Sequence, residues 1–150
     1  MNVFAHNHGE NSLWENKNTM TNIKWTDDLK RGLTFQDDDH EEAVAVMNAL
    51  QACSEADLPV LFKQLFEHTK AHLAREDELM DRIGFFAAEV HKGEHVRVLA
   101  EMQAFQDKLD AGDIAAVRTY VEETVPDWFL NHLESMDTAT AMFARQKGET

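Results

Sequence analysis

Polar residues recur at positions that helical periodicity turns inward, and this feature restricts the fold of the chain more than any other. Leu61, Leu65, His68, His72, Glu76, Leu79 and Ile83 follow one another in alternating steps of four and three, the spacing of a single helix face. Three further stripes read His40, Val44, Met47, Gln51; then His91, His95, Val98, Met102, Phe105, Leu109; then Val117, Val121, Val125, Trp128, His132. Two prolines and six glycines interrupt the 150 residues, which favours long helices over many short strands. Four amphipathic helices with short connections predict an all-α fold, an antiparallel up-down-up-down four-helix bundle.

Local signals set the expected boundaries. The first helix is predicted to begin at Asp37–Asp39, where acidic side chains suit the positive end of the helix dipole, and to run to about Cys53. Asp57 reads as an N-cap with Pro59 in the first turn; the second helix then runs to about Ile83 and stops at Gly84. The third spans Ala87 to Asp110 and closes at Gly112, and the fourth starts near Asp113. Pro126 falls inside that last helix and is expected to kink it or remove a backbone hydrogen bond; a continuation from Thr138 to Arg145 follows. Residues 22–36, with Trp25, Leu29, Leu33 and Phe35, are expected to lie irregularly across the core, and residues 1–21 to form a flexible arm.

Imidazoles and carboxylates on buried stripes need a partner, because an unsatisfied buried polar group costs about 1–3 kcal/mol and a charged one more. His72 and Glu76 stand four apart on one helix, and His91 and His95 repeat that spacing on the next. His40 lies on the first helix and His132 on the fourth, with Asp137 five residues further on. One level of the bundle can gather five imidazoles and two carboxylates. That set suits a pair of first-row metals, with iron, copper, nickel or zinc favoured over magnesium or calcium. The step from His132 to Asp137 is awkward: five residues leave about 140° between them on an α-helix, so a π-bulge or local unwinding is predicted there.

The segments Asp37-x-Asp39-His40, His72-xxx-Glu76-Asp77-xx-Met80, His91-xxx-His95 and Trp128-xxx-His132-xxxx-Asp137 resemble the hemerythrin family pattern, in that family's order. The resemblance covers roughly residues 25–137 and fills all seven ligand positions. The family usually has Gln where Asp39 stands, and Phe and Glu where Leu73 and Asp77 stand; all three departures fall outside the ligand set. The resemblance implies a hemerythrin-like bundle over residues 22–150 with two non-haem iron ions and an oxo or hydroxo bridge. His91, His95 and His132 would bind the saturated iron; His40 and His72 would bind the second, which keeps one position open. Glu76 and Asp137 would bridge the pair, and dioxygen would bind reversibly at the open position.

His68 shares the stripe of His72, yet the family pattern assigns no ligand there, and a core or supporting role is expected. Glu94, Glu101 and Glu122–Glu123 read as exposed faces, Trp128 as packing, and the methionines as core filler. The formal net charge of −14 repels phosphate backbones and anionic lipid, which disfavours nucleic acid and bare membrane as partners. A single cysteine, Cys53, excludes an internal disulfide and suits a reducing compartment. No apolar run approaches the roughly 20 residues that span a bilayer, and a cytoplasmic monomer is expected. Its function is expected to be oxygen carriage, storage or delivery to an oxygen-consuming enzyme, rather than catalysis. Ferritin-like oxidases carry Glu-xx-His pairs, and none occurs here. A di-iron oxidase or peroxidase, or a sensor of oxygen, nitric oxide or iron, is the alternative.

Overall fold

The computed structural model describes residues 22–150, so the expectation of a flexible arm over 1–21 lies outside the described residues. After a 3₁₀ turn at Asp27–Leu29, three uninterrupted helices follow: α1 (Thr34–Ala52), α2 (Leu58–Ile83) and α3 (Ala88–Asp110). The fourth, α4, is one continuous helical run over 114–146 that twice widens into a π turn, at Tyr120–Thr124 and Leu133–Asp137. No strand occurs among the described residues, and the chain is a four-helix bundle.

The helix ends follow from local chemistry. Pro59 sits in the first turn of α2, where its missing N–H is no loss. Gly84 closes that helix in the left-handed conformation (φ 64°), which a side chain would strain. Asp113 caps α4 by accepting from the Ala116 amide. The start of α1 differs from expectation: the helix begins at Thr34, three residues before Asp37. Asp37 does not open the helix but reaches backward, its carboxylate accepting from the backbone amides of Arg31 (2.7 Å) and Gly32 (3.1 Å). Those bonds fold the incoming chain against the helix, and Phe35 and Gln36 become helical as a result.

Pro126 does not interrupt α4, and having no N–H it removes one backbone hydrogen bond, as expected. The π turn at Tyr120–Thr124 immediately precedes it, and i→i+5 bonding there loosens the coil where the proline ring would otherwise meet the preceding carbonyl.

Two apolar clusters fill the interior. The larger joins Val44, Met47 and Leu50 of α1, Phe62, Leu65 and Phe66 of α2, Met102 and Leu109 of α3, and Val117 through Leu133 of α4. Ile23 is buried in it, with Trp25 and Leu29 laid against it, as expected of the irregular entry segment. The smaller holds Leu33, Leu79, Ala141 and Ala144, with Phe35 and Ile83 against it. Between the two, every helix contributes polar side chains instead: Gln36 and His40, His72 and Glu76, His91 and His95, His132 and Asp137.

Candidate metal centre

All seven side chains that the sequence nominates are buried, none more than 7% exposed. Their donor atoms converge as two adjoining groups. Glu76, His91, His95, His132 and Asp137 form one; His40, His72 and Glu76 form the other, so Glu76 belongs to both. Asp137 also reaches both: Oδ1 stands 3.1 Å from Nε2 of His91 and of His132, while Oδ2 stands 3.2 Å from Nε2 of His40. The π turn makes this possible. The Thr138 amide donates to the Leu133 carbonyl five residues back, and Asp137 thereby turns to the face that His132 occupies. Thr138 secures the turn, its hydroxyl donating to the same carbonyl (2.7 Å) and accepting from Arg31 Nε (2.7 Å).

Outer carboxylates fix which nitrogen is free in His72 and His95. His95 Nδ1 donates to Asp77 Oδ1 and His72 Nδ1 to Asp39 Oδ2, at 2.7 and 2.8 Å. Carboxylates only accept, so these bonds place the hydrogen on Nδ1 and aim the Nε2 lone pair inward. His91 Nδ1 pairs with the Thr140 hydroxyl at 2.7 Å. Asp39 is anchored in turn by Arg75, whose Nε and guanidinium NH2 approach its Oδ2 at 2.9 and 2.6 Å. Burial opposes ionisation of Asp39, but the bonds from His72 and Arg75 outweigh it and hold the carboxyl at about 2.

Inside, the donors face one another without satisfying one another. His72 Nε2 and Glu76 Oε1 are 2.9 Å apart, yet both lack the alignment of a hydrogen bond, as does Asp137 Oδ1. His91 and His95 bring Nε2 within 3.0 and 3.3 Å of His132 Nε2. Lone pairs aimed at common points are what a cation requires and what neutral pairing avoids. The field agrees. Burial works against protonation of His72, but Glu76 and Asp39 overcome it and raise the ring to about 10. His95 shifts downward, through burial first and then its neighbours His91 and His132. The pocket draws positive charge but cannot protonate every ring at once, a conflict that bound metal ions would resolve.

Several contributors were not evident in sequence. Gln36, read as irregular chain, is fully buried and donates from Nε2 to Glu76 Oε2 at 2.7 Å. Its position four residues before His40 on the same face was the available signal. Glu94, expected on an exposed face, is half-buried and accepts from Trp128 Nε1 at 2.9 Å; Arg97 also pairs with it, and with Glu101. Trp128 stacks on His132 with ring centroids 4.6 Å apart. His68 stays outside the two buried groups and clusters instead with Asp39 and the exposed Glu42: its Nε2 meets the Asp39 backbone carbonyl at 2.9 Å, and Nδ1 lies 3.7 Å from Glu42.

The hemerythrin HHE cation binding domain matches residues 31–143. The chain belongs to the hemerythrin family. A bacteriohemerythrin of Ralstonia nicotianae is 31% identical over 126 residues, which are 84% of this chain and 91% of that protein. One from Aquifex aeolicus is 32% identical over 120 residues, 75% of this chain and 89% of its own. The crystal structure of a wild-type hemerythrin superposes with a TM-score of 0.75 at 23% identity, over 81% of this chain and 97% of that one. That likeness concerns the hemerythrin fold. As expected from sequence, no helix among the described residues is long and apolar enough to cross a membrane.

Proposed function

We propose that this chain binds dioxygen reversibly at a non-haem di-iron centre. His91, His95 and His132 hold one iron, His40 and His72 hold the other, and Glu76 and Asp137 bridge them. When bound, the iron pair supplies the two electrons that dioxygen binding draws on. The protein's part is to place donors, keep one position free and exclude water.

One observation carries the reading. Beside His40 and His72 lies a small, partly open cavity of about 30 Å³, walled by Ala43, Thr69, Leu73 and Phe129 and reached also by His68, Trp128, His132 and Asp137. The half with two imidazoles therefore has space next to it. Sites for organic substrates typically measure about 300–1,000 Å³, so this cavity suits a ligand of a few atoms better than an organic co-substrate. Its one titratable side chain outside the proposed ligand set, His68, is held through Nε2 by the Asp39 carbonyl. Those features favour an oxygen binder for carriage, storage or delivery to an oxygen-consuming enzyme over an oxidase. The Phe129 ring meets His40 edge-on with centroids 5.5 Å apart, sealing the cavity on the side of the larger apolar cluster.

Optical titration tests this. Ferrous-loaded protein exposed to oxygen develops a visible absorption band that vanishes on degassing, through repeated cycles. Irreversible loss of the band as an added reductant or organic substrate is oxidised would favour the enzyme reading. Absence of any band, in protein that purifies with zinc, would overturn both.

A further inference from the structure

A metal centre enclosed by four helices needs a way in. Among the seven candidate ligands His72 and His132 are the most exposed, at 7% and 6%, and both line the cavity beside His40. Along that cavity the centre comes nearest to solvent. His68 lines it as well, and the same ring belongs to a third group of donors outside the centre. Its other members are Asp39 and Glu42, three apart on one face of α1, and the ligand atoms of the three lie within 4.8 Å of one another. Exposure falls inward: Glu42 is open to solvent, Asp39 and His68 are partly buried, and His72 is buried.

The ring of His68 turns a lone pair toward this group. The Asp39 carbonyl can only accept, so the 2.9 Å contact places the hydrogen on Nε2 and, in the neutral ring, leaves Nδ1 without one. Nδ1 faces the Glu42 carboxylate at 3.7 Å, too far for a hydrogen bond. Two donors about 2.1 Å from one ion stand roughly 3–3.5 Å apart, so a small turn of the exposed Glu42 chain closes the group around a cation. Asp39 joins the outer group to the centre: its Oδ2 holds Nδ1 of His72 and the Arg75 guanidinium, which leaves Oδ1 to an ion. One imidazole and two carboxylates suit a first-row divalent ion. With fewer and more exposed donors than the centre, they hold it less tightly.

We propose that Asp39, Glu42 and His68 form an outer site that captures a ferrous ion at the surface and passes it along the cavity to His72 and His40. The proposal goes beyond the oxygen-binding role but rests on the di-iron reading of the centre. The net charge of −14 draws cations to the whole surface, and this group supplies the donors that hold one beside the cavity.

Two measurements on the full-length protein test this. In crystals of iron-loaded protein soaked in manganese(II), anomalous scattering should place a manganese among Asp39, Glu42 and His68. Glu42→Gln, at an exposed position that does not threaten folding, should abolish it, as should His68→Gln, which keeps a donor for the Asp39 carbonyl. In anaerobic stopped-flow loading with ferrous salt, both variants should fill about tenfold more slowly than wild type and reach the same final iron content. Because the centre itself is untouched, release of iron to a chelator should slow by the same factor. Glu41→Gln removes the same charge one residue away, outside the group, and should load at the wild-type rate. Manganese bound there without effect on loading marks an adventitious ion only and overturns the proposal. So does slower loading with no manganese bound in the wild type, or equal slowing in Glu41→Gln. Wild-type protein that takes up no pair of irons would instead remove the di-iron reading beneath it.

Discussion

His68 and His72 sit one turn apart on the same helix, and replacing each by alanine separates packing from ligation within a single stripe. His68→Ala removes one hydrogen bond to the Asp39 carbonyl and a ring that is 11% exposed at its side chain. The lost bond is worth about 1 kcal/mol, and its pairing with the exposed Glu42 adds little. With the truncated ring included, destabilisation of about 1–2 kcal/mol lowers the melting temperature by roughly 3–8 °C in a chain of this size. Iron content should stay at the wild-type level. His72→Ala leaves one imidazole, His40, in its half of the site and strips Asp39 of the ring it steers. That variant should lose about half its iron and the oxygen-dependent band with it. The assay is anaerobic loading with ferrous salt, desalting, and iron per chain by elemental analysis, alongside thermal melts by circular dichroism. Iron loss in His68→Ala, or full iron content in His72→Ala, would refute the assignment of donors.

Asp39→Asn should weaken iron binding by about 10–100-fold in chelator competition, since the His72 ring loses its charged anchor and Arg75 its partner; unchanged affinity would show the anchor to be idle. Chelation of wild-type protein should lower its melting temperature, and added ferrous ion should restore it in a concentration-dependent way; an indifferent melt would argue against a structural centre. Glu94 is held at about 2 by its bond from Arg97, helped by Trp128 and opposed by partial burial. Its folded value lies below its ordinary one of 4.5, so its contribution is present above that pH and lost as pH falls toward 2. The stability gap between wild type and Glu94→Gln in urea melts should therefore be constant near neutrality and close between pH 4.5 and 2; a gap that persists at the acid end would exclude this origin.

The bundle and the seven inward donors were legible in sequence because both are periodic. His72 with Glu76, and His91 with His95, announce themselves by spacing within one helix, and the five-residue step to Asp137 required the π turn found at Leu133–Asp137. What stayed hidden was chemistry between segments. The acid at Asp37 carries the composition of a helix start, but it serves the amides of Arg31 and Gly32, so the true beginning at Thr34 had no side-chain marker. Gln36 meets Glu76 across forty positions, and Glu94 meets Trp128 across thirty-four; no periodicity within one helix encodes either pair.

The π turn before Thr138 amounts to one extra residue threaded into a helix without breaking it. Were it to relax to ordinary α geometry, everything on one side would rotate by about 100° relative to the other. Asp137 would leave the interior, and Ala141 and Ala144 would leave the small apolar cluster along with it. The placement of the carboxylate and the seating of the helix that follows it thus hang on one and the same turn.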